Sequence, residues 1–463
     1  MIHTFLFFNL LISSISSSIM KQPSSCSEAA VERLYSAFPY PPRDPNHEKN
    51  GIVTYSKYDH PHIISSTIFG GNPLPTPFRA MIVGAGTGDA TIELAIGLVQ
   101  INRGKDSTIL HVDLSQASIN VAKARLLKHR KYLEPSGIKI LFLQSKFYDL
   151  ESRDIGEPFD YINCVGVLHH LPDPLIGLKI LNNLLESGGG INMMVYAAVG
   201  RTGIYHVREM ARLLSLSREE SNEIATVDDA KIVLESLPKT NWFAKNSLAR
   251  GSQEMQHMGD VGLADLIMNP CDIAMSITEV STFAQNAGMR ILTPIRPELY
   301  KPKGSPELLD KLNKLSWIEK AQYTELQTGT ILTHAVWLVK KSNDVVATEN
   351  LPWDEMSVPC RASWMPQDAG METSDIRRGL KDGDIVYETS MGGDETEEVI
   401  GDGSLPALGP AMIRQFDCKR TLQEIYVIVK GQAKWEFDFK IFLSHAKAWR
   451  IMLMRGRAVH TLH

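Results

Sequence analysis

Cysteine is scarce in this chain of 463 residues: five are present, Cys26, Cys164, Cys271, Cys360 and Cys418, an odd and widely spaced set with no CxxC pair. That pattern argues against a disulfide framework and a cysteine-rich zinc site, and favours a reducing compartment. Charge of one sign is also missing. Forty-eight basic against 53 acidic side chains leave a formal charge of −5, so no chain-wide basic footprint advertises nucleic acid. No apolar run reaches the roughly 20 residues that cross a bilayer. The longest candidate, Phe5 to Ile12, contains Asn9, has no positive charge before it and runs into Ser13 to Ser18 without a clear cleavage site. It reads either as a poor signal peptide or as an extension upstream of a chain starting at Met20. The second reading is preferred, because the chain beyond Met20 reads as cytoplasmic.

What is present is ordinary globular composition, 43% hydrophobic and 22% charged, in a chain long enough for a substantial core. After an amino-terminal extension over 1–28, a short helix over Ala29 to Phe38 leads into a proline-rich stretch, Phe38 to Pro45. Between Arg79 and Val339, β-rich runs alternate with helical periods, the mark of βαβ units around a largely parallel sheet. The runs are Arg79 to Val83, Ile109 to Val112, Ile138 to Leu143, Tyr161 to Val165, Ile191 to Tyr196, Met289 to Leu292 and Ala335 to Val339. After the first, Ile92, Ala95, Ile96 and Val99 give a helix one buried face. After the second, Ser115 caps a helix burying Ile119, Ala122 and Leu126; after the fourth, Asp173 and Pro174 stand at N-cap and N1 before Leu178, Leu181 and Leu185. The body is expected over 29–342, broken by a helical insertion at about 200–270 of the kind that builds a wall over a scaffold. Residues 343–403, with 15 acidic and four basic side chains, read as a solvated linker, and 404–463, with ten basic and four acidic, as a small helical module.

The chemistry is concentrated at Ile82 to Asp89, IVGAGTGD, between the first strand and its helix. Gly84, Gly86 and Gly88 permit a sharp turn and close approach of a ligand to the backbone. A dinucleotide fingerprint would place its last glycine where Asp89 stands, and a carboxylate there repels a pyrophosphate. Asp113, at the tip of the second strand, is placed to accept hydrogen bonds from ribose hydroxyls. Together they specify an adenosine with a phosphate-free tail.

Gly84-Ala85-Gly86-Thr87-Gly88, Asp113, the run Phe159 to Pro174 with its VLHHLPDP, and Leu185 to Gly190 together resemble the class I S-adenosylmethionine-dependent methyltransferases. Within that family, VLHHLPDP is similar to branches acting on small molecules. The resemblance implies an α/β, Rossmann-like sheet of seven strands in the order 3-2-1-4-5-7-6 with the last antiparallel, and S-adenosyl-L-methionine as cofactor. The implied cofactor set is Gly84, Ala85, Gly86, Thr87, Gly88, Asp89, Asp113, Leu114, Phe147, Asp149, Val165 and Gly166. Two positions depart from the family. Lys146 stands where an acidic residue contacts the adenine amine, with Asp149 the nearest carboxylate, and Ile82 stands two residues before the first glycine, where many members carry Asp or Glu. Asp89 is the candidate to replace that second charge.

Methyl transfer from a sulfonium is an in-line displacement that needs positioning, water exclusion and, where required, a base. His169 and His170, just past the fourth strand, are the candidate catalytic groups. A metal site built from these with His60 and His62 lacks any fixed spacing, so none is expected. The acceptor site is expected from Tyr40, Arg43, Tyr55 and His60, from Tyr196, Arg201 and Tyr205, and from Trp242 and Phe243. No Asn/Asp-Pro-Pro-Tyr/Phe signature follows the fourth strand, and Cys164 reads as a core thiol, so nucleic acid is not the expected substrate. The reading is a methyltransferase acting on a small-molecule or lipid-like acceptor. The rival readings are a non-catalytic scaffold on this fold and a protein methyltransferase.

Overall fold

The computed structural model describes residues 26–345 apart from 51, 55, 57, 217–225 and 246–258, with short pieces between 386 and 430. The expectations for 1–25, for most of 343–403 and for the carboxy-terminal module lie outside the described residues.

Seven strands form one sheet: β1 (Phe78–Val83), β2 (Ser107–Asp113), β3 (Lys139–Gln144), β4 (Phe159–Val165), β5 (Leu185–Tyr196), β6 (Met289–Pro294) and β7 (Thr333–Lys340). Their order is β3-β2-β1-β4-β5-β7-β6. β7 runs antiparallel to both of its neighbours and the remaining pairs are parallel. This is the seven-stranded, Rossmann-like methyltransferase sheet expected from the resemblance, down to its reversed last strand.

Alternation along each central strand divides the core in two. Met81, Val83, Ile162, Cys164, Ile191 and Met193 face one side, while Ala80, Ile82 and Tyr161 face the other. Such double-sided burial is the rule where helices cover both faces of a parallel sheet. The Ser115 hydroxyl accepts from Ser118 N, and the Asp173 carboxylate from Leu175 N and Ile176 N, so both caps form as their residue types dictate. Leu185 leaves its helix and opens β5.

The helix after β1, Asp89–Gln100, is buried from Asp89 to Leu98 rather than along one stripe. Its second side is covered by the amino-terminal segment, including the helix Pro61–Ile68 that joins the same core. Between residues 200 and 270 the described elements are helices, Thr202–Ser215, Val227–Ser236, Trp242–Lys245 and Gly259–Met268, with a small core of their own around Val207, Ala230 and Phe243.

One expectation is overturned. Cys26 and Cys271 form a disulfide across 245 residues of sequence, Cα to Cα 4.8 Å. Their spacing carries no local motif, so only the folding of the amino terminus across the sheet edge brings them together. The argument for a reducing compartment, which rested on unpaired cysteines, falls with it. Among the described residues no helix is long and apolar enough to cross a membrane.

Candidate functional site

A cavity of about 620 Å3 lies against the sheet at the carboxyl ends of its central strands. Its floor is a row of alternate residues on one sheet face: Ile82, Asn163, Asn192, Met194, Tyr196 and Ala335. Register fixes this row, since Ile82 pairs with Asn163, Asn163 with Asn192, and Met194 with Ala335. The roof comes from residues 28–59 and from the insertion, through Tyr35, Tyr40, Asp59, Ile204 and Leu266 among others.

The glycine loop turns through positive φ at Gly84 (61°), Gly86 (52°) and Gly88 (99°). Each bare Cα is used by the protein itself. A Cβ on Gly84 would meet Val167 Cγ2 at 2.3 Å, one on Gly86 the Tyr40 carbonyl oxygen at 2.3 Å, and one on Gly88 the Ala122 Cβ at 2.9 Å. The proline-rich segment therefore docks onto the loop, with Thr87 N donating to Tyr40 O (3.1 Å) and Thr87 Oγ1 to Pro41 O (2.7 Å). Gly84, Ala85 and Gly86 line the cavity, whereas Thr87 and Gly88 lie behind it.

Asp113 lines the cavity at the end of β2, with Leu114 beside it. Its carboxylate accepts from Gly86 N (2.7 Å) and Ser115 N (2.8 Å), clamping the loop to the second strand. Burial raises its pKa to about 6, partly offset by the N–H groups of Ser115, Gly86 and Leu114. A carboxylate offers about four acceptor positions, so capacity remains for a ligand hydroxyl. Phe147, Val165 and Gly166 also line the cavity; Asp149 is exposed in a 3-10 turn and does not. The carboxylate next to this stretch comes instead from Glu28, whose Oε1 accepts from Phe147 N at 2.7 Å.

Asp89 lines the cavity but is not a spare charge. Arg43 grips its two oxygens (2.9 and 2.5 Å) and Arg125 Nη1 adds a third contact (2.7 Å). Arg125 is fully buried and also holds Glu48 (2.6 Å). Arg43 thereby belongs to the loop's support and not to the acceptor wall.

The two histidines part company. His170 lines the cavity; its Nδ1 donates to the Cys271 carbonyl (2.5 Å), so Nε2 is the unprotonated nitrogen and accepts from Asn269 Nδ2 (3.3 Å). Burial pulls its pKa down to about 4, with Asp272 and the Cys271 carbonyl opposing, so the ring is neutral at ordinary pH. His169 is fully buried, stacks on Tyr196 at 3.8 Å and does not line the cavity. Among the described residues neither of its ring nitrogens has a hydrogen-bond partner, and burial, with His170 and Arg201 adding to it, holds its pKa well below the usual value. It is a packing residue, not a candidate base.

Beyond His170 the cavity has a second polar end. Asp265, on the inserted helix Gly259–Met268, accepts from Tyr35 OH (2.6 Å) and Tyr196 OH (3.2 Å), and Asn269 Nδ2 donates to Tyr35 OH (3.0 Å). Arg201 lies 3.4 Å over the Tyr196 ring and pairs with Asp272 at 3.3 Å, to which Tyr205 OH also donates. Of the expected acceptor residues, Tyr40, Tyr196 and Arg201 line the cavity. His60, Tyr205, Trp242 and Phe243 do not, Trp242 being exposed and Phe243 buried in the core of the insertion; Tyr55 lies outside the described residues.

Comparison with known proteins agrees with this geometry. A family model described as a methyltransferase domain matches residues 81–191. Residues 81–191 form a methyltransferase domain, on the seven-stranded sheet of the class I S-adenosylmethionine-dependent methyltransferases. An uncharacterized protein of Synechococcus sp. is 29% identical over 69% of this methyltransferase and 73% of its own length. A ubiquinone biosynthesis O-methyltransferase of Pasteurella multocida is 27% identical over 28% of the chain and 54% of its own, so the similarity spans about half of that relative. PKMT2 from Rickettsia typhi, solved also in complex with AdoHcy, shares the fold with a TM-score of 0.57 at 16% identity, over 88% of this chain and 76% of that one.

The residues present suit the cofactor of this methyltransferase family. Among the described residues, Arg43 and Arg125 behind the glycine loop are tied to Asp89 and not offered to a phosphate, while carboxylates line the wall. The side chains that sequence reasoning missed are Glu28, Tyr35, Asp59, Asn192 and Asp265. Asn163 and Asn192 carried a signal, as amides interrupting apolar strands; Asp59 and Asp265 stand in no spacing pattern.

Proposed function

We propose that the protein transfers a methyl group from S-adenosylmethionine to a small-molecule or lipid-like acceptor seated at the outer end of the cavity. What supports this is the continuity of one enclosure, running from Asp113 and the glycine loop to Tyr35, Tyr196 and Asp265. When bound, the cofactor supplies a methyl group already activated on its sulfonium. Asp113 receives ribose hydroxyls, and the Gly86 N–H keeps that carboxylate oriented. The enclosing walls exclude water from the transfer. The tyrosine hydroxyls bound to Asp265 orient the acceptor, and the Asp265 carboxylate is the group positioned to take its proton, through Tyr35 or directly. His170, neutral and committed to Cys271 and Asn269, acts as a positioning residue: it holds Asn269, which holds Tyr35.

Methyl-labelled cofactor incubated with the protein and a cell extract tests the reading. Label is expected among small or lipid-soluble products. Label following protein would replace the acceptor class, and an absence of turnover together with an absence of cofactor binding would remove the reading altogether.

A further inference from the structure

We infer that Asp59, from the amino-terminal segment, is the counter-ion for the ammonium group at the amino-acid end of the cofactor; the inference rests on the cofactor assigned above. Five carboxylates line the cavity, and four are already accounted for. Asp89 is neutralised by Arg43 and Arg125, and Asp113 is held by backbone N–H groups at the ribose end. Glu28 is bonded to Phe147 N, and Asp265 to two tyrosines at the outer end.

Asp59, like Asp113, Glu28 and Asp265, bonds neutral donors, but it stands at neither the ribose end nor the outer end of the cavity. It is 1% exposed, and among the described residues the partners of its carboxylate are the neutral groups Tyr161 OH, Asn163 Nδ2 (2.6 Å), Ser56 and Asn192. Neutral donors lower the cost of a buried negative charge but do not cancel it, and a cation brought by a ligand does. Burial raises the pKa of Asp59 to about 6, with the hydrogen bonds of Tyr161, Asn163, Ser56 and Asn192 opposing.

Position identifies which cation. Asn163 is the register partner of Ile82, and both lie on the cavity face of the sheet, so the Asp59 carboxylate, bonded to Asn163, lies level with Ile82 one strand away. Gly84 follows two residues later, about 7 Å along the strand. Asp265, bonded to Tyr196, is four residues along β5 from Asn192, about 13 Å nearer the outer end. Asp59 is therefore the carboxylate beneath the glycine loop, on the side away from the acceptor compartment.

A second observation is independent of charge. Asn192, 2% exposed and lining the same wall, carries a buried Oδ1 with no hydrogen-bond partner among the described residues. A buried acceptor left in this way calls for a donor. An ammonium has three N–H donors, enough to serve the Asp59 carboxylate and the Asn192 oxygen together. The carboxylate end of the same amino acid offers no donor and would be repelled here.

The competing role for Asp59 is purely structural, fastening its own stretch of chain to the sheet. Two thioethers that differ in the amino-acid tail separate the alternatives: S-adenosylhomocysteine carries it, and 5′-methylthioadenosine lacks it. Calorimetric titration of the whole protein is expected to show Asp59→Asn weakening S-adenosylhomocysteine by ten- to a hundredfold while changing 5′-methylthioadenosine by less than twofold. Asn192→Leu is expected to show the same selectivity at smaller size, and it decides the question if Asp59→Asn does not fold. Equal weakening of both ligands, or no change in either, overturns the inference while leaving the cofactor assignment intact. Failure of the wild type to bind either ligand removes that assignment instead.

Discussion

Replacing Gly86 by alanine tests the proposition that the glycine loop is shaped as much by the amino-terminal segment as by a ligand. The new Cβ would stand 2.3 Å from the Tyr40 carbonyl oxygen, which must retreat by about 1 Å to reach the 3.4 Å at which contact becomes ordinary. An L-residue held at φ 52° costs about 1–2 kcal/mol. The displaced carbonyl also releases Thr87 N, and Pro41 is drawn from Thr87 Oγ1, at about 1 kcal/mol for each bond. The sum, about 3–4 kcal/mol, corresponds to a fall in melting temperature of about 5–6 °C for a body of this size. Gly188→Ala is the control, because a Cβ there meets nothing within 4 Å. Scanning calorimetry reads the stability, and titration with S-adenosylhomocysteine reads the site, where affinity is expected to fall because Tyr40 and Pro41 line the cavity. A melting point within about 2 °C of wild type with unchanged affinity would refute the reasoning, as would equal damage from Gly188→Ala.

Other perturbations probe the same geometry. Arg125→Met strands Glu48 and Asp89 as buried carboxylates without their shared cation, and denaturant unfolding is expected to show a loss of about 3–5 kcal/mol. Burial raises both Asp113 and Asp59 to a pKa of about 6, above the usual carboxylate value, and the contacts proposed for them need them ionised. Cofactor affinity is thus complete above pH 7 and lost as pH falls through 6. At pH 5 each protonation costs about tenfold, so a flat titration series between pH 7 and 5 would contradict the assignment. Asp265→Asn is expected to lower turnover at least tenfold while leaving the affinity for S-adenosylhomocysteine within twofold, a split measured by kinetics alongside calorimetry.

The sheet was legible because each central strand is a compact β-rich run and each turn to the next helix carries its own chemistry. Ser115, Asp173 and Pro174 announce helix starts, and glycine spacing announces the ligand loop. Asp113 was readable for the same reason: it ends a strand at a fixed distance from that loop. What stayed hidden is what the chain makes by long-range contact. Asp59 meets Tyr161 across 102 residues, Tyr35 meets Asp265 across 230, and Cys26 meets Cys271 across 245. No local period encodes such pairs. The histidines misled in the opposite sense, since a strand-end HH pair looks reactive until burial sets one ring against Tyr196 and commits both nitrogens of the other.

The matched methyltransferase segment, 81–191, holds the glycine loop and Asp113 but only part of the floor of the cavity, Ile82 and Asn163. Its roof comes from elsewhere: Glu28, Tyr35, Tyr40 and Asp59 from before the first strand, and Ile204 and Asp265 from the insertion. The disulfide joins these two additions, with Cys26 two residues before Glu28 and Cys271 two residues after Asn269. Tyr35 OH and Asp265 meet at the same seam. Ile82 and Lys146 are the positions where the resemblance leads one to expect acids, and from outside the matched segment Asp59 bonds Asn163, the register partner of Ile82, and Glu28 bonds Phe147 N, next to Lys146. On the proposed reading, acidic groups brought from outside the matched segment keep the glycine loop supplied with carboxylates, while the additions that the family model does not cover wall the outer, acceptor end of the cavity.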